Sequence, residues 1–167
     1  IKYFFAYHDI MDTPWDLTLK EYIPKVQKSS GKKSFYLTIA ELITKVNDGH
    51  AWCINGQVSN EIGSSLSIRM GYAENRTIIT KIPDSISCYL GLYAGDEILE
   101  INGVNIEERR NNLGKYIGGS NKNSINSNIN FYILGLKYNE SFVIKVKDPL
   151  GIEKIIDSKY DSLLFSK

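Results

Sequence analysis

The chain has 167 residues, of which 43% are hydrophobic and 23% are charged, the composition of a globular protein that can bury a core. Its formal net charge of +1 gives no basic field of the kind that holds nucleic acid. No run of about 18 apolar residues indicates a membrane span, so we expect a small-molecule or peptide partner.

The first residues, Ile1 to Tyr7, include neither a Met nor a signal peptide, and we expect the chain to open inside an element of a longer protein. The two cysteines, Cys53 and Cys88, match neither a disulfide scaffold nor a C-x-x-C metal site. We expect two buried free thiols, no metal and no cofactor.

A first helix is predicted from the segment Thr13-Pro14-Trp15-Asp16. Thr13 can cap it, Pro14 suits the first helical position, and Asp16 lies in the first turn, where the helix dipole favours a carboxylate. Pro24 should kink this helix or end it early.

A second helix is predicted from Ser34, because apolar residues recur at three- and four-residue steps until about Asn47. Gly49 can take the left-handed conformation that closes a helix, and Ala51 to Ile54 are predicted to form a strand. His50 is then placed at a helix-to-strand corner.

A histidine at such a corner is a candidate general base, because the corner holds the side chain while its ring stays open to a neighbouring domain. The alternative is a structural role, in which His50 hydrogen-bonds a backbone group beside the helix end. Asp48 could orient the ring, although capping the chain reversal is the simpler role. His8, in the aromatic opening segment, is a weaker candidate.

The second half begins after residues 55–65, whose Gly, Asn and Ser content indicates a boundary. A hairpin is predicted from Leu66–Met70 and Thr77–Ile82, followed by a short helical or irregular segment at 85–90. The stretch 91–103 then supplies a strand held between two turns.

Two further helices and a closing hairpin are predicted after this strand. The helices are expected at Ile106–Ile117 and from about Ser124, and the hairpin should turn at Asp148–Gly151. The sequence Gly118-Gly119-Ser120 resembles a nucleophile turn, but no buried strand precedes it.

The motif Gly91-Leu92, Gly95-Asp96, Ile98-Leu99-Glu100-Ile101 and Asn102-Gly103 resembles a PDZ domain of the bacterial kind, over about Ile62 to Asp157. The resemblance implies that an extended peptide adds as a strand to an exposed edge beside a helix. The expected peptide-binding residues are Leu66, Ser67, Ile68, Arg69, Met70 and Leu113. The expected Gly-hydrophobic-Gly carboxylate loop is replaced by Ile62-Gly63-Ser64-Ser65-Leu66, so the groove binds either internal segments or nothing.

A helical segment ending in Asp48-Gly49-His50-Ala51, followed by a PDZ domain, resembles the front half of the C-terminal processing and tricorn-type serine peptidases. The resemblance implies that a catalytic domain with the nucleophilic serine follows. In the tricorn-like branch the base is a histidine at the position of His50, although Gly49 stands where that motif has a serine. In the processing branch the base is a lysine of the later domain.

The predicted fold class is α+β, with an N-terminal helical subdomain at 1–57, a PDZ-like partly open β-barrel or sandwich with two helices at 62–158, and a linker at 159–167. The expected function is the non-catalytic front half of a serine endopeptidase, which binds or gates polypeptide and does not cleave alone. The alternative is a stand-alone PDZ peptide-binding adaptor with a helical extension. The resemblance also implies export to the bacterial periplasm or envelope.

Overall fold

The computed structural model describes residues 11–53, 55–63, 67–137 and 139–160, and these contain six helices and six strands. The helices are α1 (Trp15–Gln27), α2 (Lys32–Thr44), α3 (Gly56–Ile62), α4 (Asp84–Leu90), α5 (Ile106–Leu113) and α6 (Lys122–Tyr132). The strands are β1 (Arg69–Ala73), β2 (Arg76–Lys81), β3 (Glu97–Ile101), β4 (Val104–Asn105), β5 (Ser141–Lys147) and β6 (Glu153–Lys159). No helix within the described ranges is long and apolar enough to cross a membrane.

The strands form one antiparallel sheet in the order β1-β2-β3-β5-β6, with β4 paired to β3. The predicted α+β class is confirmed. The sheet is open, and within the described ranges β1 and β6 are its two edge strands.

Contacts between Cα atoms divide the chain into two compact units. The first contains the described residues up to Glu61 together with Gly114–Asn128. The second contains Ile62–Leu113 together with the described residues from Ile129 onward. The predicted domain boundaries at 57, 62 and 158 stay predictions.

Helix α1 starts as predicted, but with a different cap. Pro14 is the N-cap residue, and its carbonyl oxygen accepts the backbone N–H groups of Leu17 and Thr18 at 2.9 and 3.1 Å. Thr13 lies one residue too early to cap. The proline fits here because it has no N–H of its own to leave unsatisfied.

Pro24 lies inside α1, which continues to its end at Gln27, so the predicted early end is wrong. The missing N–H of Pro24 removes only one hydrogen bond in the last turns. Tyr22, which is 1% exposed, holds this part of the helix by packing and by donating a hydrogen bond to Glu41 Oε1 of α2 at 2.9 Å. Burial, followed by this hydrogen bond, raises the pKa of Tyr22.

The chain leaves α2 through Asn47, whose φ of 56° is left-handed, whereas Gly49 has no positive φ. The prediction that Gly49 closes the helix is therefore wrong, and asparagine takes the role that glycine often has. Residues 51–53 form no strand, and Ile54 lies outside the described residues. His50 lies in a turn after a helix rather than at a helix-to-strand corner.

Helix α3 occupies part of the segment predicted as a boundary. The Asn55 side-chain oxygen accepts the backbone N–H groups of Gln57 and Val58 at 2.9 and 3.3 Å, which caps the helix. Val58 and Ile62, four residues apart, are both buried. The polar composition hid this spacing, which is that of one helical face.

Both cysteines are free, but the prediction that both are buried is wrong. Cys88 is exposed on α4, and Cys53 is half-buried, where its sulfur accepts a hydrogen bond from the Asn55 amide at 3.4 Å. Cys88 falls on the outward face of a short helix.

The predicted β1-β2 hairpin is confirmed with a shifted first strand. Strand β1 covers Arg69–Ala73 instead of Leu66–Met70. Glu74 and Asn75 have φ values of 53° and 57°, so they form a two-residue turn with both central residues left-handed. This turn matches the twist of the flanking strands, and it lets β1 run further than the sequence indicated.

The stretch 91–103 forms a strand between two turns, as predicted. Gly91 ends α4 with a φ of 66°, and Gly95 has a φ of 98° in the turn before β3. Asn102 and Gly103, with φ values of 52° and 74°, connect β3 to β4. These are backbone conformations that glycine and asparagine adopt at low cost.

Asp96 holds the first of these turns in place from the inside. Its side chain is 1% exposed, and its Oδ2 atom accepts the Tyr93 backbone N–H at 3.0 Å. Lys154 of β6 lies 3.0 Å from the same oxygen and donates to the Gly91 carbonyl at 2.8 Å. The buried carboxylate is therefore paired and hydrogen-bonded, and it connects the turn to the far edge strand.

The last elements also agree with the sequence. Helix α6 has a reciprocal cap, in which Asn121 Oδ1 accepts the Ser124 backbone N–H at 2.9 Å and Ser124 Oγ accepts the Asn121 N–H at 3.1 Å. In β5, Phe142, Ile144 and Val146 alternate with more exposed residues and are buried. The fully buried aliphatic side chains of the second unit include Ile79, Ile86, Leu92, Ile98, Ile101, Ile133, Ile144 and Val146.

We predict that Asp96→Ala lowers the free energy of unfolding by about 2–4 kcal/mol, because it removes a buried acceptor and leaves Lys154 without its carboxylate. Urea denaturation followed by circular dichroism measures this change in the free energy of unfolding. Glu140→Gln, at an exposed position, should change stability by less than about 0.5 kcal/mol. Equal effects of the two substitutions would contradict the proposed role of Asp96.

Candidate functional site

His50 lies in the turn after α2, in the first unit. Its side chain is fully exposed, and its Nδ1 atom is 3.5 Å from Asp48 Oδ1. The same oxygen accepts the His50 backbone N–H at 2.9 Å. Asp48 therefore closes the turn and also lies beside the imidazole.

The turn is held by further contacts within the same unit. The Gly49 backbone N–H donates to Ser120 Oγ at 3.3 Å, and the Trp52 indole N–H donates to the Gly49 carbonyl. Ser120 is exposed in the loop before α6, and residues 114–119 before it form no strand. Its hydroxyl accepts a backbone hydrogen bond, and its surroundings are not those of a nucleophile turn.

This arrangement suits a general base that acts on a group from elsewhere. When the Asp48 carboxylate faces Nδ1, it favours the tautomer with the proton on that nitrogen, and the lone pair of Nε2 points away. No hydrogen bond from a serine to the His50 ring is present in the described part of the chain.

The predicted peptide edge falls only partly on a strand. Leu66 lies outside the described residues, and Ser67 and Ile68 precede β1. Arg69 is exposed and Met70 is buried at the start of β1. Among the described residues β1 pairs with β2 alone.

Leu113 is the last residue of α5, and its side chain is 6% exposed. The helix ends there, four residues before the predicted end at Ile117. Leu113 therefore belongs to the buried core of the second unit, and its predicted role in peptide binding stays a prediction. Other residues of α5 contact β1 directly.

Those residues include Glu107, which no sequence pattern had marked as a site residue. The Tyr72 hydroxyl of β1 donates to Glu107 Oε2 at 2.9 Å, so the strand and the first turn of α5 are joined directly. Burial, followed by the hydrogen bond to Glu107, raises the pKa of Tyr72. The second carboxylate oxygen, Oε1, is buried and has no hydrogen-bond partner within the described residues.

Arg110 completes this contact between strand and helix. Its guanidinium lies 3.7 Å from the centre of the Tyr72 ring, and its side chain is buried with 3% exposure. Nη1 donates to Asn130 Oδ1 at 2.8 Å and to Thr77 Oγ1 at 3.4 Å. Burial lowers the pKa of Arg110, but a guanidinium remains charged at neutral pH.

Arg109, the neighbouring residue, connects the other side of α5 to the chain after α6. Its Nη2 atom donates to the carbonyl oxygens of Leu134 and Gly135 at 3.1 and 3.3 Å, and Nε donates to Ile133. These three carbonyl groups follow the end of α6, and the half-buried arginine donates a hydrogen bond to each of them.

One signal for this cluster was available in the sequence. Glu107 and Arg110 are three residues apart, which puts an acid and a base on one face of a helix. Tyr72, however, was predicted to lie in a turn, so its pairing with this face could not be anticipated. Within the described residues, no cluster of three or more His, Cys, Asp or Glu side chains could hold a metal ion.

No protein-family model matches the chain, and no curated protein matches it in sequence. The comparison with solved structures is informative. The chain resembles CPAF, a bacterial serine protease. Mature CPAF bound to lactacystin matches with a TM-score of 0.55 and 14% identity, over 86% of this chain and 28% of that one.

Two other CPAF structures give the same result. Mature CPAF matches with a TM-score of 0.53 and 12% identity, over 95% of this chain and 33% of CPAF. A point mutant of CPAF matches with a TM-score of 0.54 and 15% identity, over 86% of this chain and 27% of the mutant chain. At such identities the similarity establishes a shared fold. This chain spans about a third or less of the length of the CPAF chains.

We predict that Tyr72→Phe lowers the free energy of unfolding by about 1–2 kcal/mol, because the Glu107 carboxylate would lose the hydroxyl that donates to it. Thermal and urea denaturation measure the change. Tyr93→Phe is the matched control, since Tyr93 is 57% exposed, and it should cost less than about 0.5 kcal/mol. Equal losses in both variants would contradict the role assigned to the Tyr72 hydroxyl.

Proposed function

We propose that the chain is the non-catalytic front half of a serine endopeptidase. In this proposal its PDZ-like unit binds extended polypeptide, and its helical unit presents His50 to a catalytic domain that carries the nucleophilic serine. The similarity to CPAF supports the link to a protease. The PDZ-like motif at 91–103 supports the peptide-binding role.

The observation that supports peptide binding most directly is the position of β1. Among the described residues it pairs with β2 alone, and it contacts α5. A strand edge offers unpaired N–H and C=O groups, which an extended segment can pair with regardless of its sequence. The Tyr72–Glu107 hydrogen bond and the Arg110 side chain keep α5 next to this strand. In this proposal the strand and the helix are the two walls of a groove that is held in place before the peptide binds.

Internal segments fit this groove better than a free C-terminus. PDZ domains bind a C-terminal carboxylate with a glycine-containing loop before the edge strand. In this chain such a loop would have to use Gly63, the one glycine between Ile62 and Leu66. Gly63 has a φ of 77°, and a Cβ atom there would collide with the Gly135 backbone. The glycine is thus accounted for by close packing within its own unit.

The catalytic part of the proposal depends on the His50 turn. A serine hydroxyl needs a base within hydrogen-bond reach, and a histidine supplied by a separate domain can serve when the domains pack together. The exposed ring leaves room for such an approach, and Asp48 lies where it can hold Nδ1–H. The processing-peptidase alternative, with a lysine base in the later domain, would leave His50 structural.

We predict that peptide binding slows amide hydrogen exchange in β1 at Arg69–Ala73 and leaves β3 unchanged, since β3 is already paired on both sides. The probe is the tightest binder from a library of unstructured peptides, tested as the free acid and as the amide. Both forms should bind within about threefold of each other. Absence of any binder, or protection outside β1, would overturn the peptide-binding proposal.

We predict that His50→Ala, in the protein encoded by the whole reading frame, lowers kcat on an unfolded protein substrate by about 10²- to 10⁴-fold, because the serine loses its base. KM should change little, because in this proposal the β1 groove binds the polypeptide and His50 acts only in the chemical step. The chain's other histidine, His8, lies outside the described residues, and His8→Ala is the matched control. Unchanged turnover in His50→Ala would remove His50 from the mechanism.

A further inference from the structure

The second edge of the sheet, strand β6, has an arrangement that neither the peptide groove nor the His50 turn uses. Strand β6 (Glu153–Lys159) pairs with β5 along its whole length without a bulge, and it contains no proline. Among the described residues its other edge has no partner strand. Seven regular residues on an open edge are a template for another strand.

The side chains of β6 are self-complementary in charge. Residues on the more exposed face are Glu153, Ile155, Asp157 and Lys159, with opposite charges at the two ends. When two copies of such a strand lie antiparallel, the first residue of each faces the last residue of the other. Glu153 of one copy then faces Lys159 of the second copy, twice in the same interface.

We propose that a second copy of this chain adds to β6, antiparallel and about a two-fold axis at Ile156. The two five-strand paths would then continue as one sheet. Ile156 faces its own copy on the axis, and on the more exposed face Ile155, which is 68% exposed, faces Asp157 of the second copy. The two Ile156 side chains meet at the axis, and the two attractive Glu153–Lys159 pairs lie at the ends of the interface.

The same charges exclude the neighbouring registers. A shift that centres the axis on Ile155 brings Glu153 opposite Asp157, two like charges. A shift in the other direction, centred on Asp157, brings that carboxylate opposite its own copy. All three registers preserve the two faces of the sheet, and of the three only the one centred on Ile156 pairs opposite charges.

The neighbouring side chains are compatible with this pairing. Glu153 Oε2 is 2.8 Å from Lys145 Nζ of the adjacent strand β5, and the Glu153 side chain keeps 51% exposure. Lys159 of the second copy can therefore approach the carboxylate from the open side. On the other face of the strand, Lys154 already forms an ion pair with Asp96. Lys154 would lie opposite Ser158 of the second copy.

Charge reversal tests the two-fold pairing directly. Sedimentation equilibrium of the 167-residue chain should show a dimer that forms between micromolar and millimolar concentration. Glu153→Lys and Lys159→Glu should each weaken dimerisation by about tenfold or more, because two attractive pairs become two repulsive ones. The double variant, E153K with K159E, should restore the dissociation constant to within about threefold of the original.

Glu140→Lys and Lys81→Glu change the net charge by the same amounts at exposed positions outside β6, and they should leave dimerisation unchanged. Far-UV circular dichroism and thermal unfolding confirm that each variant is folded. A chain that stays monomeric at millimolar concentration, or a double variant no better than the single ones, would overturn the proposal. Peptide protection at β1 is a separate measurement and should be the same in all variants.

Discussion

The buried cation of Arg110 is the constraint on which the second unit depends. A guanidinium that is removed from water must find hydrogen-bond acceptors and a neighbouring negative or aromatic group. Arg110 finds them in three elements, through the Tyr72 ring on β1, Thr77 on β2 and Asn130 on α6. Those contacts fix α5 over the β1-β2 hairpin, and with it the helix wall of the proposed groove.

The partners that we propose for the two edges of the sheet depend on these Arg110 contacts and on the Asp96–Lys154 pair. At one edge, α5 lies beside β1. In the proposal, only an extended segment that fits between this strand and this helix can therefore bind there. At the other edge, Lys154 contacts Asp96 and Glu153 contacts Lys145 but stays half exposed, and Glu153 and Lys159 are the charges that we propose for the partner. We therefore propose different partners for the two edges, polypeptide at β1 and a second copy of the chain at β6.

The sequence predicted the fold class, the two-turn stretch at 91–103 and the closing hairpin, because local turn chemistry and alternation decide those elements. Prediction from the sequence failed for those features that depend on contacts between residues far apart in the chain. The start of β1 depends on its pairing with β2, and the Asn47 turn after α2 replaced the expected Gly49 closure. The Tyr72–Glu107 contact joins residues 35 positions apart, which no local pattern could indicate.

The central claim, that this chain serves a serine endopeptidase, is tested most directly by active-site labelling. The protein encoded by the whole reading frame would be treated with a fluorophosphonate, a reagent that reacts with activated serines, and the modified residue located by mass spectrometry. We expect a single labelled serine in a domain that follows residue 167. Labelling within this chain, or no labelling of the folded and complete protein, would contradict the claim.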